Sequence, residues 1–346
     1  MGVESEAMKS LIQQLANQLA KPYERPVDRQ DSMPADTPTE AAIDASVAAL
    51  KQAATELQRQ APPPPVGPEQ IVHPKAGATS TAINALPAEE SPSPYARLAV
   101  IAEAVAADRI DLLLDPILGL EDRKARHFEV SVRLRSPDGE MLSPDDYRSM
   151  LAGTGLLGRI DAAKLTRSAA IADRLTTRGN AAALFANVQG ESLSDNGFLD
   201  VFADTFIDRQ PVSSRLVLSF SQADVRSFGD VHWEAVTTMS ELGFRFALEH
   251  ITDLDMDFEM LKDNGFAFVK LDASVFLHGM RSGDNLVPSA DICRHMAGLG
   301  FGLIVGGIVD EVELARIMGF GVVFGQGALF GRPHAVKVET RQRAAA

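Results

Sequence analysis

Eight polar side chains lie near the carboxyl ends of short apolar runs in this sequence. They are Asp115, Arg133, Asn187, Ser219, Glu249, His250, Lys270 and Gln326. The set combines carboxylates, a lysine, an arginine and amides, which can bind phosphates, hold cations or transfer protons. If the apolar runs are parallel strands, the side chains converge at one end of the sheet. We therefore expect them to line one polar cleft for a small molecule.

The elements that must position these side chains begin at about residue 94, where short apolar runs alternate with longer amphipathic stretches. The strand candidates are 110–116, 128–134, 183–188, 215–220, 245–250, 266–271, 301–306 and 321–325. Helical stretches such as DAAKLTRSAAIADRLTTRG and DEVELARIMG separate most of them. Eight such units predict an α/β fold, a TIM-like (β/α)8 barrel rather than an open doubly wound sheet.

Charge and cysteine content exclude several classes of partner. The formal net charge is −14 at pH 7, and nucleic acids require clustered Lys and Arg, so we expect no binding to DNA or RNA. A local basic pocket for a small phosphodiester remains compatible with this charge. The single cysteine, Cys293, lies in an apolar helical stretch, which favours a buried thiol in a reducing compartment. Without a signal peptide or a spanning apolar run, the sequence predicts a cytoplasmic protein.

The N-terminal arm has a different composition, with most of the prolines and a single aromatic residue in residues 1–93. Within residues 1–60, apolar side chains repeat at spacings of four and three in segments 3–21 and 41–58, which is typical of a coiled coil. Isolated amphipathic helices are the alternative, because each run spans only about two heptads. Residues 61–93 predict a proline-rich linker. We expect a homodimer formed through the arm, a folded domain over 94–338 and a tail over 339–346.

Six separated segments over residues 96–336 resemble, in order, the motifs of EAL domains, a family of cyclic di-GMP phosphodiesterases. In HFEVSVRLRSPDGEMLSPDDY, Glu129 begins the counterpart of the family's Glu-Ala-Leu signature, and Arg133 matches the arginine that follows it. The others are DPILGLED, TGLLGRID, FANVQGESL, FVKLDASVF and FGQGALFGRP; the last four place Asp161, Asn187, Lys270, Gln326 and Pro333. The resemblance implies an EAL-type barrel that binds cyclic di-GMP at its mouth.

The resemblance fails at the metal site. The family holds two divalent ions with five carboxylates, of which this chain keeps Glu129 and Glu249. The segments that lose acids read VLSFSQ, EHIT and VGGIV. Lys270, which in the family helps to position the attacking water, is kept. We therefore expect no hydrolysis and no requirement for Mg²⁺ or Mn²⁺.

A single bound ion is the alternative at this position. Its ligands would come from Glu129, Asn187, Glu249 and His250, and the histidine would favour Mn²⁺ or Zn²⁺ over Mg²⁺. This alternative implies a weak single-metal phosphodiesterase.

The residue types that bind a nucleotide differ from those that hydrolyse it. A guanidinium fork such as that of Arg133 suits a phosphodiester, whereas Asp115 replaces the family's glutamine with a charge that opposes a dianion. We expect cyclic di-GMP to bind without metal through Glu129, Arg133, Asp161, Asn187, Lys270, Gln326 and Pro333. A second alternative is a protein-interaction scaffold that no longer binds nucleotide.

The order of coiled-coil arm, linker and degenerate EAL domain resembles flagellar regulators of the TipF type. The resemblance implies recruitment of flagellar or polar proteins under the control of cyclic di-GMP, with membrane helices ahead of the coil. No such helices occur in this sequence. We expect a signalling adaptor that is cytoplasmic or tethered to the membrane through an N-terminal segment absent from this chain.

Overall fold

The computed structural model describes residues 94–207 and 209–336. Its strands are β1 (Ile110–Gly119), β2 (Lys124–Arg135), β3 (Met141–Leu142), β4 (Leu184–Asn187), β5 (Leu216–Ser221), β6 (Arg245–Glu249), β7 (Phe266–Asp272), β8 (Met280–Ser282), β9 (Asn285–Val287), β10 (Gly302–Gly306), β11 (Phe324–Gly325) and β12 (His334–Ala335). The predicted coiled-coil segments 3–21 and 41–58, the linker 61–93 and the tail 339–346 lie outside the described residues.

In the described part of the chain, the first helix precedes β1 and the others lie between strands. The helices are α1 (Pro94–Ala106), α2 (Pro144–Leu151), α3 (Leu156–Thr177), α4 (Asn196–Phe206), α5 (Gln210–Ser213), α6 (Gln222–Ser227), α7 (Asp230–Glu241), α8 (Phe258–Asp263), α9 (Ala273–His278), α10 (Ser289–Gly298) and α11 (Glu311–Gly319). Side-chain caps fix several of their starts; Asp195, for example, accepts a hydrogen bond from Phe198 N at 2.7 Å at the start of α4. None of these described helices has the length and apolar character needed to cross a membrane.

Eight strands close into a barrel, which confirms the predicted fold class. The order around the barrel is β1, β2, β4, β5, β6, β7, β10 and β11, and β11 pairs with β1 to complete the ring. The strands from β2 to β11 run parallel, whereas β1 is antiparallel to both neighbours. β3 and β12 extend the sheet beside β2 and β1, and β8 and β9 form a separate hairpin.

The direction of β1 differs from the eight equivalent units that the sequence predicts. Residues 120–123 join β1 to β2, and Arg123 adopts a left-handed conformation (φ 53°) with its N–H donating to the Gly119 carbonyl at 2.8 Å. A parallel connection needs a crossover of about a dozen residues or more, so this short turn must return the chain antiparallel. Asp115 consequently lies within β1, opposite Glu129 in register, and not at the carboxyl end of a parallel strand.

An apolar layer fills the barrel beneath the polar side chains. Its members are Ile117, Ala183, Phe185, Val217, Ala247, Phe268 and Ile304, and the rings of Phe185 and Phe268 meet edge to face at 4.9 Å. Side chains alternate along a strand, so the residue two positions after each layer member returns to the interior. Those residues include Asn187, Ser219, Glu249, Lys270 and Gly306. The core therefore fixes which polar groups face the barrel mouth.

We predict that Phe185→Ala destabilises the protein by about 3–5 kcal/mol, because it removes a ring from the centre of this layer and leaves a cavity. Urea unfolding followed by tryptophan fluorescence measures the change. Val312→Ala is the control, since that side chain is 70% exposed and should change stability by less than about 0.5 kcal/mol. Equal losses for the two variants would contradict the assignment of Phe185 to the core.

Candidate functional site

A cleft of about 240 Å³ opens at the barrel mouth between β2, α2 and α3. Its walls include the ends of β4 and β6. Six sequence-predicted site residues line it: Glu129, Arg133, Asp161, Asn187, Glu249 and His250. The apolar layer closes the barrel below, so access is from the mouth. The sequence-predicted polar residues thus converge largely as expected.

Glu129 is the centre of a hydrogen-bond network that joins β1, β2 and β7 to the residue that follows β11. Its Oε2 accepts from Lys270 Nζ at 2.7 Å and from Gln326 Nε2 at 2.6 Å. Gln326 Nε2 also donates to Asp115 Oδ2 at 2.5 Å, while its buried Oε1 has no hydrogen-bond donor within the described residues. The network places Lys270 and Gln326 directly behind the Glu129 wall of the cleft.

The charges of this network follow from burial and from the lysine. Burial alone would raise the pKa of Glu129, but the Lys270 ammonium and the hydrogen bonds from Lys270 and Gln326 outweigh it and hold that pKa below its usual range. Burial likewise opposes the charge of Lys270, yet the nearby Glu129 and Glu249 raise the pKa of its ammonium. The pair is therefore a carboxylate and an ammonium in direct contact.

The pKa values of the other two acids near the network, Glu249 and Asp115, are shifted in the opposite direction from that of Glu129. Burial raises the pKa of Glu249, which is 5% exposed, although Lys270 opposes the shift. Burial also raises the pKa of Asp115, against the hydrogen bond from Gln326. Both environments favour the uncharged acid relative to a solvated one.

A second buried ion pair supports the opposite side of the cleft. Asp161 Oδ1 accepts from Lys164 Nζ at 2.8 Å, and Lys164 also donates to Asn187 Oδ1 at 2.9 Å. Asp161 Oδ2 accepts from Gln189 N at 2.9 Å and from Ser192 Oγ at 2.8 Å. Asp161 and Asn187 thus line the cleft while already engaged with Lys164, and they tie α3 to the loop after β4. Sequence reasoning missed Lys164, although its i,i+3 spacing from Asp161 on a helix is a usable signal.

A family model for the EAL domain matches residues 99–333, about two thirds of the chain. The chain belongs to the EAL domain family. A relative named as an uncharacterized 76.5 kDa protein in the phbC 3' region of Thiocystis violacea is 24% identical over 232 residues, covering 66% of this chain and 32% of that protein. The chain therefore spans about a third of that relative's length.

Two solved EAL structures share the fold. The FimX EAL domain from Pseudomonas aeruginosa, bound to c-di-GMP, is 22% identical, with a TM-score of 0.57 over 69% of this chain and 96% of that one. The PaMucR phosphodiesterase in complex with c-di-GMP is 16% identical, with a TM-score of 0.58 over 69% of this chain and 97% of that one. At these identities the likeness shows the architecture.

The metal ions that an EAL fold implies do not fit the residues present in this EAL domain. Glu129 already accepts hydrogen bonds from an ammonium and an amide, and Asn187 Oδ1 accepts from Lys164. His250 is exposed, with Nε2 3.7 Å from Glu249 Oε1. Within residues 94–207 and 209–336, no three His, Cys, Asp or Glu side chains form a group that could hold a metal ion.

Gly306 stands where the EAL motif has an acid, and the space beside it is occupied by Lys270. A Cβ at Gly306 would lie 3.3 Å from Lys270 Cε, so the stem of the lysine covers the glycine. This is closer than most Cβ contacts, and a larger side chain here would require the end of the Lys270 stem to shift by a few tenths of an ångström.

The last sequence-predicted residue, Pro333, is exposed and does not line the cleft. It precedes β12, which pairs with β1 through Leu114 and His334. One cleft residue that sequence reasoning missed is Arg148 on α2. Arg148 could have been found from the sequence, because it directly follows Tyr147, the last residue of the motif segment that contains Arg133.

We predict that the stability of Glu249→Gln relative to the wild type increases from pH 4 to pH 8. A folded-state pKa raised above the unfolded value of about 4.3 means that the wild type loses stability as pH rises through that range, whereas glutamine does not ionise. Thermal unfolding at several pH values measures the difference.

Glu129→Gln is the matched comparison for this pH series. Its pKa is lowered, so the charged form stabilises the fold above the unfolded pKa, and that contribution is lost as pH falls through the folded pKa. The substitution should therefore cost more stability at pH 8 than at pH 4. The same pH trend in both variants would contradict the charge assignment.

Proposed function

We propose that this EAL domain is a receptor that binds cyclic di-GMP without a divalent metal and does not hydrolyse it. The observation that carries the proposal is the loss of acids at the barrel mouth: of the five metal carboxylates that the EAL motifs imply, only Glu129 and Glu249 are present, and burial favours the uncharged form of Glu249. Hydrolysis in this family depends on a metal-activated water, and the residues present here do not fit the metal. Such a site can bind the ligand without hydrolysing it.

Binding of the nucleotide is supported by a cationic group in the cleft. Arg133 is partly buried and makes no hydrogen bond or ion pair with the described residues. A guanidinium without a partner in a half-closed cleft favours an anionic ligand, and its fork suits a phosphodiester. The c-di-GMP in the FimX and PaMucR structures is the ligand that this chemistry would accept.

The volume of the cleft limits how the ligand can lie. About 240 Å³ is below the ~300–1,000 Å³ typical of sites that bury a whole drug-sized ligand. We propose that the cleft takes a phosphate and base from one half of cyclic di-GMP, and that the other half lies over the open mouth of the barrel. Lys270 and Gln326 adjoin this mouth, whereas Pro333 does not line the cleft.

We expect calorimetric titration to show saturable binding of cyclic di-GMP in EDTA, with intact ligand recovered afterwards. Arg133→Ala should weaken binding tenfold or more, since a charge-assisted hydrogen bond contributes about 1.5–3 kcal/mol. Arg126→Ala is the matched control, because Arg126 lies near the other end of β2 and pairs with Asp122 at 2.7 Å. The titration is repeated with Mg²⁺ and with Mn²⁺.

Other outcomes of that titration identify the alternatives. Conversion to the linear dinucleotide in Mg²⁺ or Mn²⁺ would support the weak single-metal phosphodiesterase. No binding and no thermal stabilisation under any condition would leave a protein-interaction scaffold.

We further propose that the receptor acts as a signalling adaptor in flagellar assembly or motility, with a flagellar or polar protein as partner. The support is the sequence layout: an arm with heptad spacing at 1–60, a proline-rich linker at 61–93, the EAL domain at 94–338 and a tail at 339–346. An adaptor needs a ligand-reading domain and a separate device for association, and this layout supplies both.

The arm generates a prediction about oligomeric state. We expect the full chain to be a homodimer by sedimentation, and Leu50→Glu with Leu57→Glu to shift it to a monomer, because charges at two seam positions oppose helix pairing. Glu56→Lys is the control at a position outside the seam. A monomeric wild type would contradict the coiled-coil prediction.

A further inference from the structure

The cleft contains a second guanidinium that the EAL motifs do not account for. Arg148 lines it from α2, whereas Arg133 lines it from β2. Like Arg133, Arg148 is partly buried and makes no hydrogen bond or ion pair with any described residue. Two arginines from different elements, neither of them hydrogen-bonded or ion-paired within the described residues, therefore line the same cavity.

The helix that carries Arg148 is held in a defined position. Pro144 begins α2, and the Asp146 carboxylate accepts a hydrogen bond from Ser143 N at 2.7 Å, which stabilises the first turn. Tyr147 and Leu151 on the same helix are buried. The neighbours of Arg148 thus fix the backbone that carries it, and less conformational freedom is lost when a ligand binds.

The acids around the cleft do not neutralise these two arginines. Glu129 is hydrogen-bonded to Lys270 and Gln326, and Asp161 is paired with Lys164. Asp145 is exposed in the first turn of α2, where the helix dipole favours its charge. Burial raises the pKa of Glu249, the remaining acid of the cleft, although Lys270 and Arg148 oppose that shift, so Glu249 offsets Arg148 only in part. Neither Arg133 nor Arg148 is paired with an acid by a hydrogen bond or an ion pair within the described residues. A cleft of this kind favours an anion that contacts both.

We infer that Arg148 is a second anion-binding residue of the cleft and that Arg133 and Arg148 each offset one of the two negative charges of a dianionic ligand. The inference rests on the proposed function, with cyclic di-GMP as the dianion. In this arrangement, two fixed guanidinium groups supply the positive charge that the metal ions supply in a catalytic EAL domain. Arg148 is thereby a determinant of affinity in addition to the motif residues that the sequence analysis identified.

Calorimetric titration of cyclic di-GMP into the full chain and its variants, in EDTA, tests the inference. We expect Arg148→Ala to weaken binding tenfold or more and Arg148→Lys to weaken it less, because lysine keeps the charge but loses the fork. Arg159→Ala removes the same charge from an exposed position on α3 that does not line the cleft, and should change the dissociation constant by less than about twofold. Thermal unfolding shows that each variant is folded.

The double variant Arg133→Ala, Arg148→Ala tests whether the two residues act on separate charges. Independent contacts predict that its fold-loss equals the product of the single fold-losses. A double loss no greater than that of Arg133→Ala alone would overturn the division of charge. If Arg133→Ala weakens binding while Arg148→Ala matches Arg159→Ala, the inference falls and the proposed function stands. If the wild type does not bind, both fall.

Discussion

The contact between Lys270 and Glu129 determines most of the properties of this barrel mouth. It joins β7 to β2 across the interior, and Gln326, the residue that follows β11, extends it through Asp115 to β1. Each charge would be expensive to hold in a partly buried position alone, and each is stabilised because the other lies within hydrogen-bond distance. Removing either partner would leave an unpaired charge in the site. The pair is therefore both a structural link between strands and the origin of the local electrostatics.

The acids missing from this mouth distinguish it from the EAL motifs more than that contact does, because Glu129, Lys270 and Gln326 all match motif residues. Fewer acids near Glu129 mean less negative charge that a divalent cation would have to offset. Ser219 lies beside Asn187 on the neighbouring strand, and Gly306 lies against the stem of Lys270. Glu249 remains, and its burial favours the uncharged form. The loss of acids and the retention of Lys270 are thus parts of one charge arrangement.

Much of this structure could be predicted from the sequence because the decisive signals are local. Eight apolar runs become eight barrel strands, and alternation along each strand brings Glu129, Asn187 and Glu249 to one mouth. The antiparallel direction of β1 could not be predicted from the apolar runs, because such runs carry no information about strand direction. The short link 120–123 does carry that information, since a parallel connection needs a longer crossover.

The contacts within the site could not be predicted in the same way. The pairing of Lys164 with Asp161 and Asn187, the network around Gln326 and the unpaired state of Arg148 depend on distances between elements far apart in sequence. Pro333 shows the reverse case, because a motif match located the residue but not its distance from the cleft. Sequence patterns thus place residues on elements, whereas the packing of those elements decides which of them meet.

The proposed receptor function places a different requirement on affinity than catalysis does. An enzyme gains rate only from interactions that strengthen in the transition state, so tight binding of the resting ligand contributes nothing to turnover. A receptor instead reports how often its site is occupied. Cations fixed on the protein make occupancy depend on the nucleotide alone, without a second dependence on free metal. Occupancy becomes a signal only if the ligand binds two conformations of the protein unequally.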